Sequence, residues 1–222
     1  MNKIIAIDGP AGSGKGTITK IIAKKLNLIY IDTGATYRAT ALATLRNNIK
    51  LEEKDKIIEL AKTLDIDFDE NGKTYLNGED VSKEIRSIEV TNIVSPLSSI
   101  PEIREIMVDL QRKMAKNKDV IMEGRDITTV VFPETKYKFY LDADVMERAK
   151  RRYIQNKEMG FEENMNDIIE AIKKRDYNDM HKPIGALKRT PDQVYIDSTK
   201  MTIDEVADTI IKHIKNIEKK GL

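Results

Sequence analysis

The sequence predicts one α/β domain: a parallel sheet of about five strands with helices on both faces. Three observations carry this. Short apolar runs at Ile4–Ile7, Ile29–Ile31, Val120–Met122, Tyr137–Leu141 and Val194–Ile196 alternate with stretches of helical spacing. The first run breaks into a glycine-rich turn with a helical stretch directly behind it. The 222 residues and 40% apolar content suit a single domain with an adequate core and an insertion.

The opening strand ends at Asp8 and runs into Gly9-Pro10-Ala11-Gly12-Ser13-Gly14-Lys15-Gly16-Thr17. The spacing is G-x-x-x-x-G-K, and the following helix carries Ile18, Ile21, Ile22 and Leu26. Glycines let backbone N–H groups converge on a phosphate, and the helix start adds partial positive charge. Strand, loop and helix together predict a P-loop NTPase-type sheet with residues 9–17 as the ATP site. Lys15 can bridge the β- and γ-phosphates and is expected in a solvent-open loop. Gly16 stands where Ser or Thr commonly follows the lysine, so Thr17 is the nearest hydroxyl to phosphate and metal, directly or through water. This K-G-T version resembles nucleoside monophosphate kinases rather than switch GTPases.

The remaining elements follow in order. Ile29-Tyr30-Ile31-Asp32 leads through Thr33-Gly34-Ala35-Thr36-Tyr37-Arg38 into a helix with Ala39, Leu42 and Leu45 inward. Leu51–Leu64 is a further amphipathic helix. Ile66, Phe68, Tyr75, Leu76 and Val81 then fall among the tight-turn pairs Asn71-Gly72 and Asn77-Gly78. This predicts a β-rich insertion over about 65–90. Pro101 opens a helix with Ile103, Ile106, Met107, Leu110 and Met114 on one face. Past the Tyr137–Leu141 strand, Asp142 or Asp144 can cap the next helix. The terminal helix carries Ile203, Val206, Ile210, Ile214 and Ile217, before a frayed Lys219-Lys220-Gly221 tail.

Composition narrows the function classes. Charged residues are 34% of the chain, yet the net charge is +1, so no global field points to nucleic acid or a membrane. Without cysteine there is no disulfide, thiolate metal site or thiol nucleophile. Two histidines, His181 and His213, cannot build a zinc centre alone. The first apolar run is too short for a signal peptide or a membrane span, so a cytoplasmic protein is expected.

Three further stretches carry chemistry. Glu123-Gly124-Arg125-Asp126 follows a core strand, at the carboxyl end where open parallel sheets bind ligands. The Arg125 fork matches phosphate oxygens two at a time, and Glu123 can hold magnesium-bound waters. Arg38 also sits past a strand end, although alone it reads equally as a helix-surface arginine. Glu147-Arg148-Ala149-Lys150-Arg151-Arg152 is a basic helical run, and Asn156–Asn166, with Gly160, reads as a mobile loop. Together they are either a solvated face or a lid that folds cations over a phosphoryl group. Arg175 and Asp179 are four apart on a helix end and share a face. His181 has no catalytic signature.

With these stretches in hand, the chain resembles the bacterial cytidylate kinase (CMP/dCMP kinase) family nearly end to end. The marks are Gly9–Thr17, Asp32–Arg38, Leu76-Asn77-Gly78-Glu79-Asp80-Val81, Ser95 with Pro101 and Arg104, and Glu123–Asp126. Thr129-Val130-Val131-Phe132-Pro133, Arg175-Asp176 with Asp179, and Asp197-Ser198-Thr199 complete them. The resemblance implies phosphoryl transfer from ATP with Mg2+ to CMP or dCMP, by a monomer with no nucleic-acid or membrane partner. It implies one kinase domain over 1–222, a monophosphate-binding region over about 33–100 and a lid over about 148–166. Arg38 and Arg125 hold the acceptor phosphate, with Thr33 near it. Ser95, Arg104 and Asp126 read the cytosine edge, and Arg175 and Asp179 bind ribose hydroxyls. Arg148, Arg151 and Arg152 belong to the lid and, with Lys15 and Arg125, form the catalytic set; Thr17 and Glu123 serve the metal.

Four positions depart from the family pattern. Lys182, on the sugar side, stands where many members have arginine; Glu123 replaces an aspartate. Thr128 stands where glycine is usual and Thr36 where an apolar residue is usual, and either could shift a backbone near the acceptor. Two other readings compete. A nucleotide-dependent switch lacks its N-K-x-D and D-x-x-G signatures here. A kinase for UMP, AMP or a non-nucleotide acceptor is separated by the Arg104 and Asp126 pair.

Overall fold

The computed structural model describes residues 2–69, 72–158, 160 and 164–220. Five strands, β1 (Ile4–Asp8), β2 (Ile29–Asp32), β6 (Val120–Gly124), β7 (Tyr137–Asp142) and β8 (Val194–Asp197), form one sheet in the order β2-β6-β1-β7-β8. Every pairing is parallel. The central strands are continuous apolar runs because both their faces are covered. Ile5 and Ile7 pack with α1 (Lys15–Leu26) and α8 (Ile203–Lys220) through Ile18, Ile22, Val206, Ile210 and Ile214. Ala6 and Met122 face the other way, onto Val108 and Ala115 of α5 (Pro101–Ala115). This is the period-two alternation of a strand. Lys219 and Lys220 stay helical in α8, correcting the expected fraying, and Gly221 lies outside the described residues.

The segment between β2 and β6 builds a second core. α2 (Thr33–Arg46) starts immediately after β2, with Asp32 Oδ1 accepting from Ala35 N as its cap. α3 (Lys54–Thr63) is shorter than its apolar pattern suggested, because Leu51 and Glu52 form a turn before it. The short strands β3 (Ile66–Phe68), β4 (Thr74–Leu76) and β5 (Glu79–Asp80) form an antiparallel sheet. Asn77 and Gly78, both at positive φ, make its second turn. Asn71 of the first turn lies outside the described residues. The strands stop at Asp80; a 3-10 turn, Glu84–Arg86, and α4 (Ile88–Leu97) follow. α4 was not anticipated, since Pro96 sits inside it; Ser87 caps it by accepting from Val90 N.

Asp144, rather than Asp142, caps α6 (Val145–Glu158), its Oδ1 accepting from Met146 N. α6 runs through Asn156, which is buried in the helix rather than in the expected loop. α7 (Met165–Met180) begins soon after, and Met159 and Phe161–Glu163 between them lie outside the described residues. Register then assembles the site. Asp8 pairs with Gly124 and Asp32 with Glu123, so three strand ends deliver their following residues to one rim of the sheet.

Candidate active site

The glycine loop rises from β1. A Cβ on Gly9 would lie 2.0 Å from the Leu141 carbonyl oxygen, so only glycine lets the loop leave between the strands. Lys15, expected in open solvent, is only 5% exposed. The loop wraps its own lysine: Nζ donates to Pro10 O at 2.7 Å and Ser13 Oγ at 3.3 Å. Burial, then the charge of Arg125, lower its pKa to about 7, with Glu123 opposing. Gly16 also has a steric reason. A Cβ there would sit 2.8 Å from Glu123 Oε1, so glycine leaves room for the longer carboxylate. Glu123 Oε1 accepts from Tyr30 Oη at 2.6 Å, and burial, then Asp32, raise the Glu123 pKa.

The basic run on α6 divides into three roles. Arg148 is a correction to the lid expectation: it is buried and fixed under the loop. Its Nη1 donates to Ala11 O (3.0 Å) and Asp176 Oδ2 (2.6 Å), and its Nε to Ala143 O (2.9 Å). Arg151 reaches Ser198 O (3.0 Å) and Ser13 O (3.4 Å), beside the loop. Arg152 is exposed and donates to Gln155 Oε1.

Across the rim stands a row of cations, most of them neutralised by carboxylates. Arg38 pairs with Asp32 at 2.7 Å. Arg86, which the sequence reading passed over, lies 3.6 Å from the same carboxylate. Burial works against Asp32, but Arg38 and Arg86 keep its pKa low. Asp179 accepts from Arg125 Nε at 2.8 Å and pairs with Lys182 Nζ at 3.1 Å. Burial opposes its charge, yet Arg125, Lys182 and Arg175 hold it well below the usual carboxylate range. Arg175 does not pair with Asp179 despite the shared face, and has no ion-pair partner among the described residues. The surrounding protein and then Arg125 lower its pKa to about 10.

At the far end Arg104 and Asp126 form a buried ion pair, 5% and 7% exposed. Arg104 Nη1 also donates to Ser98 O, and its guanidinium lies 5.4 Å from the centre of the Tyr37 ring. Burial raises the Asp126 pKa, with Arg104 opposing. Gly185, at φ +67, lies against the guanidinium: a Cβ there would come within 2.1 Å of Nη2. Two buried donors in this row, Arg104 Nε and Arg38 Nε, lack a partner among the described residues. A buried N–H left unpaired costs about 1–3 kcal/mol, which a ligand oxygen or nitrogen can recover.

Other expected residues take different roles. The Thr33 hydroxyl donates to Glu123 O at 2.6 Å. Ser95 contributes its carbonyl, which accepts from Ser98 and Ser99; Ser98 instead touches Arg104 and Lys182. The Thr36 hydroxyl donates to Thr33 O within α2 and accepts from Gln111. Only Gly185 of the missed residues had a sequence signal, the Pro183-Ile184-Gly185 turn pattern.

The donor set suits a hard cation sparingly. Thr17 is exposed at the helix start and the Glu123 carboxylate lies against Gly16. No group of three acidic, histidine or cysteine side chains occurs among the described residues. One carboxylate and one hydroxyl fit magnesium that takes its other ligands from phosphate and water.

Comparison with known proteins places the chain in a family. The sequence profile of the cytidylate kinase family matches residues 5–216. The cytidylate kinase of Caldanaerobacter subterraneus subsp. tengcongensis is 46% identical over 215 residues, covering 97% of this chain and 96% of that one. That of Clostridioides difficile is 44% identical over 213 residues, covering 96% and 98%. Among solved structures, a shikimate kinase from Bacteroides thetaiotaomicron shares the fold with TM-score 0.51 at 13% identity, covering 96% and 98%. A gluconokinase from Sinorhizobium meliloti does so with TM-score 0.51 at 10% identity, covering 100% and 98%. A glycine loop closed on its lysine, facing a row of arginines that ends in a buried arginine–aspartate pair, thus sits in a chain that belongs to the cytidylate kinase family.

Proposed function

We propose that this chain transfers the γ-phosphoryl group of ATP to CMP or dCMP, giving ADP and CDP or dCDP. The observation that carries the reading is the pair of buried, unpaired Nε–H donors on Arg38 and Arg104, at the two ends of one cationic row. A phosphate oxygen suits the Arg38 donor, and a base nitrogen or oxygen suits the Arg104 donor. Arg104 can donate to N3 and O2 of cytosine, and Asp126 can accept from its N4–H. Arg38 and Arg125, joined by Arg86, leave their carboxylates for the acceptor phosphate. Arg175, Asp179 and Lys182 lie between, on the sugar side. The acceptor is already an oxyanion, so no general base is required, and positioning with charge neutralisation suffices.

On the donor side, Lys15 releases Pro10 O for phosphate oxygens, and residues 9–17 supply the amides. Magnesium, held by Thr17 and Glu123 directly or through water, would neutralise charge between the β- and γ-phosphates. Arg151 and Arg152 then meet the equatorial oxygens; the lid comprises these two and the chain beyond them, without Arg148. The acceptor region is the segment of about 33–100. No helix among the described residues is long and apolar enough to cross a membrane, which is consistent with a cytoplasmic enzyme.

A coupled ADP-release assay with Mg-ATP against CMP, dCMP, UMP and AMP tests the reading. CMP or dCMP should give the highest kcat/KM. A preference for UMP or AMP would overturn it.

A further inference from the structure

Asp8 is fully buried at the end of β1, one residue before the glycine loop. Its hydrogen bonds go to the turn after β6. Oδ1 accepts from Ile127 N at 2.9 Å, and Oδ2 accepts from Thr128 N at 2.9 Å and Thr128 Oγ1 at 2.6 Å. These two amides open the five-residue π-type turn Ile127–Val131, directly after Asp126. The first N–H groups of such a turn have no partner within it, so Asp8 caps it from a neighbouring strand. A second chain of hydrogen bonds reaches the same carboxylate. Gln193 Oε1 accepts from Thr190 N (2.7 Å), Gln193 Nε2 donates to Thr128 Oγ1 (2.5 Å), and Thr128 donates to Asp8. Every donor in this chain points toward the carboxylate, an arrangement in which each bond polarises the next. Thr128 and Gln193 are themselves buried. The Thr128 hydroxyl thus connects the Gln193 amide to the Asp8 carboxylate.

We propose that Asp8, through Thr128 and Gln193, is a positioning device for base selection: it fixes the Asp126 backbone so that the carboxylate meets Arg104 in the geometry that accepts cytosine and rejects uracil. None of the three side chains touches the substrate. They act through the turn that directly follows the base-reading Asp126. The inference rests on the CMP kinase reading and names its selectivity support. It also makes β1 a shared anchor, with the phosphate loop on one side and the base-reading turn on the other.

Thr128→Val removes the hydroxyl and keeps the shape; Thr128→Ser keeps the hydroxyl. Initial rates with CMP and UMP, and ATP affinity by titration, are measured for both and for the wild type. Thr128→Val should raise KM for CMP and lower the CMP-over-UMP ratio of kcat/KM by about tenfold, the effect of losing one buried hydrogen bond to a charged group. ATP affinity should stay within about twofold, since the loop amides are untouched. Thr128→Ser should restore the ratio. A Thr128→Val enzyme with the wild-type ratio overturns the inference, as does a loss that Thr128→Ser shares. If Thr128→Val fails to accumulate, Gln193→Leu, which removes only the outer donor, should lower the ratio in the same direction, and an unchanged ratio there refutes it equally. A wild type that ignores CMP would overturn the kinase reading instead, so the two failures are separable.

Discussion

Asp126→Asn is the most informative single change, because it perturbs stability and selectivity by separable mechanisms. In the unliganded protein the pair with Arg104 is buried on both sides. Removing one charge of such a pair costs about 3–5 kcal/mol; the lower end is expected here, because the amide oxygen can still accept from Arg104. For a chain of this size about 3 kcal/mol lowers Tm by roughly 6–12 °C. Selectivity changes for a different reason. Cytosine presents an acceptor at N3 and a donor at N4, and uracil reverses both. Against UMP, Arg104 would face a donor and Asp126 an acceptor. Each buried unpaired group costs about 1–3 kcal/mol, so wild-type discrimination on the order of 10²–10⁴ is expected. An amide can turn either end toward the base. CMP activity should therefore drop while UMP activity holds or rises, in the coupled assay run well below the new Tm. If both substrates lose activity equally, Asp126 positions the site and does not read the base, and the reasoning fails.

Four other outcomes follow from the geometry. Lys15→Met should fold and lose about 10²–10³ in kcat, as when one charge-stabilising donor is removed from a transition state. The Lys15 pKa is about 7 in the folded chain against a higher unfolded value, so the unfolded state binds more protons above pH 7. Wild-type stability relative to Lys15→Met should accordingly rise from pH 7 toward pH 10, and urea unfolding showing a fall would refute the burial argument. ATP should reverse that shift, so calorimetry at pH 8 in buffers of different ionisation enthalpy should register proton uptake. Arg148→Ala should destabilise by about 3–5 kcal/mol, stranding Asp176, whereas Arg152→Ala should change stability by less than about 0.5 kcal/mol and lower kcat. Asp179 has a depressed folded pKa, so its contribution is present above the unfolded carboxylate value and lost as pH falls below about 4. Acid unfolding of Asp179→Asn should lack that component.

Features that depend on neighbours along the chain are legible from the residues alone. Ile4–Ile7 and Val120–Met122 announce buried strands because continuous apolar residues have no other place in a parallel sheet. Asn77-Gly78 reads as a tight turn, and its positive φ angles bear this out; Gly9–Thr17 reads as a phosphate site through its spacing together with its strand and helix flanks. The limits of such reading are equally physical. α4 escaped because Pro96 and the β-branched Ile88, Val90, Thr91, Ile93 and Val94 argue against a helix; packing of Val90 and Leu97 into the second core stabilises it. Arg148 and Arg152 lie four apart in one basic run, yet one is locked beneath Ala11 and the other faces water. The sequence showed Arg175 and Asp179 on one face, but Asp179 found Arg125, 54 residues away, since charges pair by distance in space. Only the tertiary structure could bring Asp8 to Thr128 across 120 positions, because that contact exists through the parallel pairing of β1 with β6. Register between strands is a long-range property: local residue types decide which segments become strands, and the packing of the whole chain decides whose ends meet.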